Sequence, residues 1–73
     1  MKTYVDRIRE LREDSDKTQA EIAAYLGTTQ QMYSRYENGE NEMPVRHVIA
    51  LAAYYKVSTD YLLGLTNRRG NGR

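Results

Sequence analysis

Gln30, Gln31, Ser34 and Arg35 are the residues whose types and spacing best suit chemistry here, and the chemistry is hydrogen bonding to a partner rather than bond making. If Thr29 caps a helix starting at Gln30, these four point outward, while Tyr33 and Tyr36, three apart, point inward. Exposed amides on the first turn of a helix are more than solubility requires. A carboxamide offers donor and acceptor side by side, the pattern that matches the N6/N7 edge of adenine in a DNA major groove. The plainer reading of the same residues is the polar face of an ordinary helical hairpin.

The flanking residues supply the elements that would position them. Thr18-Gln19-Ala20-Glu21 is an S/T-x-x-E capping box, so a helix should begin at Gln19. Ile22 and Leu26 give it a buried stripe, and Ala23 sits midway, where a larger side chain would hold two helices apart. Gly27 fits a left-handed position that ends this helix and turns the chain. The pair Asn38-Gly39 stops the helix that follows. Residues 18–39 therefore read as helix, tight turn, helix, and with capping box, alanine, glycine and stop signal in register the plain hairpin loses ground to a helix-turn-helix.

Before it, Val5, Ile8 and Leu11 step by three among Asp6, Arg7, Arg9, Glu10 and Glu13, the pattern of an amphipathic helix from Tyr4 to about Asp14. Acids crowd its end against the helix dipole and favour termination before Asp16. After Gly39, an acidic loop with Glu40 and Glu42 leads to Pro44, suited to the first turn of a helix. Val45, Val48, Ile49, Ala52 and Tyr55 then follow a core-facing pattern, widened by Leu51, with His47 off the stripe and expected at the surface. Ser58 caps a last short helix, Val57 staples onto Leu62, and Gly64 closes it. Residues 66–73 are expected to form a mobile basic tail, either a loose phosphate contact or merely a solubilising terminus.

Composition narrows the classes. A chain of 73 residues suggests one small domain, structured over about 4–65, with little room for an enzyme cleft. With no cysteine and one histidine, neither a thiolate zinc site nor a catalytic pair is expected; no catalytic residue, metal or cofactor is assigned. No apolar run is long enough to span a membrane and no signal-peptide pattern opens the chain, so a cytoplasmic, nucleoid-associated protein is expected. Eleven Lys and Arg stand against ten Asp and Glu, so net charge alone argues little for nucleic acid. Seven tyrosines raise the possibility of base stacking on single strands, but all except one fall at or beside core positions and no sheet platform is expected.

The run from Gln19 to Asn38, with ENG at residues 37–39 and DYLLG at residues 60–64, resembles the phage-repressor and Cro (XRE-type) family of DNA-binding domains, and the likeness extends over roughly residues 4–65. It implies an all-α, compact five-helix lambda-repressor-like fold and a sequence-specific double-stranded DNA-binding regulator, most simply a repressor. It further implies that Gln19 and Asn38 clamp the phosphate backbone, and that Gln30, Gln31 and Arg35 meet base edges. Thr28, Thr29 and Ser34 belong to the same DNA-facing set, Ser34 and Thr29 close to the backbone or a thymine methyl, with Met32 beside it. In the resembling repressors an arginine at the offset of Arg12 pairs with the glutamate of ENG, here Glu37. The chain departs from phage members of the family in carrying Glu40 and Glu42 where they have basic residues, so a single copy has few phosphate contacts. A homodimer on a pseudo-palindromic operator would compensate, with Tyr61, Leu63 and Leu65 as its contact, unless Leu63 and Leu65 simply cover the bottom of a small core. Alternatively, the loop offers a backbone N–H, such as that of Met43. The competing class is a protein-interaction module of the same fold, an antitoxin or regulator subunit acting through a protein partner.

Overall fold

The computed structural model describes residues 3–70, which form α1 (Tyr4–Asp14), α2 (Gln19–Leu26), α3 (Gln30–Glu37), α4 (Val45–Tyr55) and α5 (Thr59–Leu62). Among the described residues there is no strand, and no helix is long and apolar enough to cross a membrane. The all-α, five-helix expectation holds.

Helix starts follow local chemistry. Thr18 Oγ1 accepts from the Glu21 N–H at 3.1 Å while Glu21 Oε1 accepts from the Thr18 N–H at 2.9 Å, the reciprocal bonds of a capping box. Thr29 and Ser58 cap α3 and α5 through the N–H groups of Met32 and Tyr61. A second capping box, Thr3 with Asp6, starts α1 and was readable in the sequence as a threonine three residues before an acid. Pro44 stands one position earlier than expected, as the extended residue preceding α4. Gly27 ends α2 at φ +74°, the left-handed conformation the tight turn requires.

The core joins all five helices. Ile8 and Leu11 of α1, Ile22 and Ala23 of α2, Tyr33 and Tyr36 of α3, Val48, Leu51 and Ala52 of α4 and Leu62 of α5 are buried together with Met43 and Val57. Two expectations for α4 need correction. Val45 and Ile49 are exposed rather than core, and His47 is buried at 5% exposure rather than on the surface, its ring 5.9 Å from that of Tyr36. The helix is apolar on nearly every side, so periodicity could not say which arc faces inward; packing against α2 and α5 selects the one with His47, Val48, Leu51 and Ala52. Tyr25, also expected near the core, is about half exposed, its ring against Tyr54 and its hydroxyl donating to the Ala50 carbonyl.

Residues 66–70, at the start of the expected basic tail, run back over α5 and α1. The Arg69 carbonyl accepts from the Ser58 N–H, and Asn67 Oδ1 accepts from Arg7 Nη2 at 2.7 Å. Residues 71–73 of that tail lie outside the described residues.

Candidate nucleic-acid interface

The geometry begins inside the domain, at Glu37 in the last turn of α3. Its carboxylate is 1% exposed and takes four hydrogen bonds: from Arg12 Nε at 2.7 Å and Nη2 at 3.1 Å, from Gln19 Nε2 at 3.1 Å and from the Tyr33 hydroxyl at 2.6 Å. Burial alone would raise its pKa, but the hydrogen bonds from Arg12, Tyr33 and Gln19 outweigh it and hold the carboxyl below the usual range. Tyr33 is pushed the other way, by burial first and then by the carboxylate it serves, so it stays a neutral donor. Arg12 also donates from Nη1 to the Lys17 carbonyl, and Arg9 Nη2 donates to the Glu37 carbonyl. One buried acid thus ties α1, the start of α2 and the end of α3 into a fixed frame.

On that frame α3 turns its other face to solvent. Gln30, Gln31 and Arg35 are exposed, Ser34 is half-buried, and all four line one shallow depression of about 600 Å³ together with Gln19 and Glu40. Asn38 and Thr29 are exposed at the two ends of α3, outside the lining, and Thr28 is half-buried in the turn. The residues singled out from the sequence therefore fall on one surface, with Gln30, Gln31, Ser34 and Arg35 at its centre. Every one of these groups is a hydrogen-bonding side chain; among the described residues no group of three or more His, Asp or Glu is placed to hold a metal ion.

Several features of this surface were not read from the sequence. Gln19 is only half-buried and has one Nε2 hydrogen turned in to Glu37, which fixes the amide so that its second N–H is left for an outside acceptor. Tyr33 and Glu37 are four apart on one helix, a spacing that could have suggested their bond. Met32 is not an exposed neighbour of the face: it is half-buried against the core, its sulfur 3.4 Å from Asn41 Nδ2. The Met43 N–H is unavailable to an outside anion, because Met43 is buried and its N–H donates to the Tyr4 hydroxyl at 3.3 Å. Glu40 stands in the depression with its N–H fixed to the Arg35 carbonyl at 2.9 Å and its carboxylate 3.4 Å from Asn38 Nδ2.

This arrangement, two short helices crossing at a left-handed glycine with the second exposing amides and a guanidinium, defines a helix-turn-helix domain, and residues 8–62 match the helix-turn-helix family; the chain belongs to it, in its Cro/C1 (XRE) branch. It is 36% identical over 64 residues to the uncharacterized HTH-type transcriptional regulator YobD of Bacillus subtilis (strain 168), and 34% identical over 60 residues to the SPbeta prophage-derived uncharacterized HTH-type transcriptional regulator YonR of the same organism. These matches cover 88% and 82% of this chain but only 57% and 56% of the relatives, so the chain spans little more than half the length of either.

Proposed function

We propose that this chain is a sequence-specific double-stranded DNA-binding transcription regulator, acting as a repressor, that lays α3 in the major groove. The observation that carries this reading is the gathering of Gln30, Gln31, Ser34 and Arg35 on one exposed face, held by a frame that leaves their helix little freedom to shift. The amides suit adenine and Arg35 suits guanine O6 and N7, each good pair discriminating by about 1–3 kcal/mol. Gln19 and Asn38 set the register through phosphates, with Thr28 and Thr29 beside the backbone. The names of the two relatives, both HTH-type transcriptional regulators, support the assignment.

A dimer is part of the proposal. One such helix covers too few base pairs to select a genomic site, and two copies reading a pseudo-palindrome would place their reading helices about 34–36 Å apart. The domain measures 30 × 22 × 21 Å between Cα extremes, so with side chains added two copies at that spacing meet near the midline. Leu63 and Leu65, 43% and 74% exposed, with half-buried Tyr61 beside them, supply an apolar contact there.

The second reading, a protein-interaction module that binds a protein regulator or toxin, is favoured by one observation: Glu40 puts a carboxylate into the depression where phosphate would approach. Selection of bound duplexes from a random pool separates the two. A shared motif with two-fold character supports the regulator; recovery of no motif by the folded protein leaves the interaction module.

A further inference from the structure

We infer that the cavity between α1, α5 and the segment following α5 is a binding site for a small carboxylate with a short apolar body. Arg7, Glu10, Tyr61, Gly64, Leu65, Thr66 and Asn67 line an open depression of about 640 Å³, within the size range of small-molecule sites. Arg7 is only 6% exposed, and arginine is almost never that buried without a counter-charge. Among the described residues no carboxylate forms an ion pair with it. Its partners are neutral: Asn67 Oδ1 at 2.7 Å from Nη2 and the face of Tyr61, 4.0 Å from the guanidinium carbon, while the buried Nε has no hydrogen-bond partner.

The rest of the wall is rich in donors. Asn67 turns its oxygen to Arg7, which leaves its Nδ2 group to donate. Thr66 Oγ1 accepts from the Arg68 N–H at 3.2 Å, which leaves its hydroxyl proton to donate as well. A second guanidinium, that of Arg69, stands 5.7 Å from the Tyr61 ring centroid but outside the lining, 3.8 Å from the Asp14 carboxylate. One cation and two neutral donors, set against the Glu10 carboxylate in the same wall, suit an anion of low charge. Glu10, half-buried in the same wall and engaged in an interaction of its own, selects against the higher charge of phosphate. The planar, singly charged carboxylate fits better, and Tyr61 with exposed Leu65 offers apolar surface for its body. Gln30, Gln31 and Arg35 form no part of this cavity, so it does not depend on base reading, although Tyr61 and Leu65 are shared with the proposed contact between copies.

The test is an NMR titration of the full chain with butyrate, benzoate and inorganic phosphate, following the Arg7 Nε–H signal. Butyrate and benzoate should shift it saturably in the millimolar range, with phosphate at least about tenfold weaker, a difference of one charge-assisted contact. Asn67→Asp, which sets a carboxylate of the chain's own against Arg7, should remain folded and lose the response. An Arg7 signal unmoved by either carboxylate, phosphate binding as tightly as butyrate, or an Asn67→Asp variant that responds like the unaltered chain would each overturn the site.

Discussion

Glu37 carries the largest consequences of any single residue. Removing Arg12 alone strands a nearly inaccessible carboxylate, so Arg12→Ala should cost about 3–5 kcal/mol of stability, whereas adding Glu37→Gln should recover part of that loss. A double-mutant cycle by urea denaturation measures the coupling, and a value near zero would contradict this account of the frame. The depressed pKa of Glu37 means its stabilising share is complete above the ordinary carboxylate range, ~4.3, and is lost as pH falls through the lower folded value. His47 has the same sign for a different reason. Burial first, and the charge of Arg46 second, hold it below the usual histidine value, so stability present above about pH 6.5 declines as pH drops below it. His47→Gln should flatten the stability curve below about pH 6.5; a curve of unchanged slope would show that His47 protonates as easily in the fold as out of it. Spacing along the chain suggested neither the Arg12 pair, 25 residues apart and expected only from the family likeness, nor the burial of His47 against Tyr36. Both depend on contacts between elements, which no local period encodes.

Among the elements, the ends of helices were the most legible part of the sequence, because caps act within four residues of themselves. The box at Thr18, the hydroxyl caps at Thr29 and Ser58, and the left-handed turn at Gly27 are where the residue types put them. A methyl at Gly27 would meet nothing within 4 Å, so only its φ of +74° resists substitution. Gly27→Ala should therefore cost about 1–2 kcal/mol and Gly27→Asn less, by thermal or urea unfolding, with equal losses contradicting the conformational explanation. Asn38→Ala should lower affinity for every duplex alike, because a phosphate clamp carries no sequence information, and a change in motif would move Asn38 into the base-reading set. What the sequence hid at this scale was rotation: α4 is apolar on two arcs, and only its neighbours decide that Val45 and Ile49 face outward.

For the whole molecule, the proposed pairing of copies would supply the affinity that near-neutral charge and an acidic loop withhold, through the exposed Leu63 and Leu65. A folded Leu63→Glu, Leu65→Glu variant should lose cooperative two-to-one binding in sedimentation with DNA, while an unaltered stoichiometry would move the contact elsewhere. The fold, and the gathering of Gln30, Gln31, Ser34 and Arg35 on one surface, were legible because each rests on short-range signals that agree with one another. The docked position of residues 66–70 was not, since it depends on Arg7 reaching a residue 60 positions away. The central claim, that α3 reads bases through Gln30, Gln31 and Arg35, is tested most directly by selecting duplexes from a random pool with the unaltered chain and with Gln30→Ala, Gln31→Ala in parallel. The account predicts a two-fold related motif for the first, and for the second a loss of preference at the adenine-bearing positions with weak general binding retained. The same motif from both proteins, or none from the unaltered one, would contradict it.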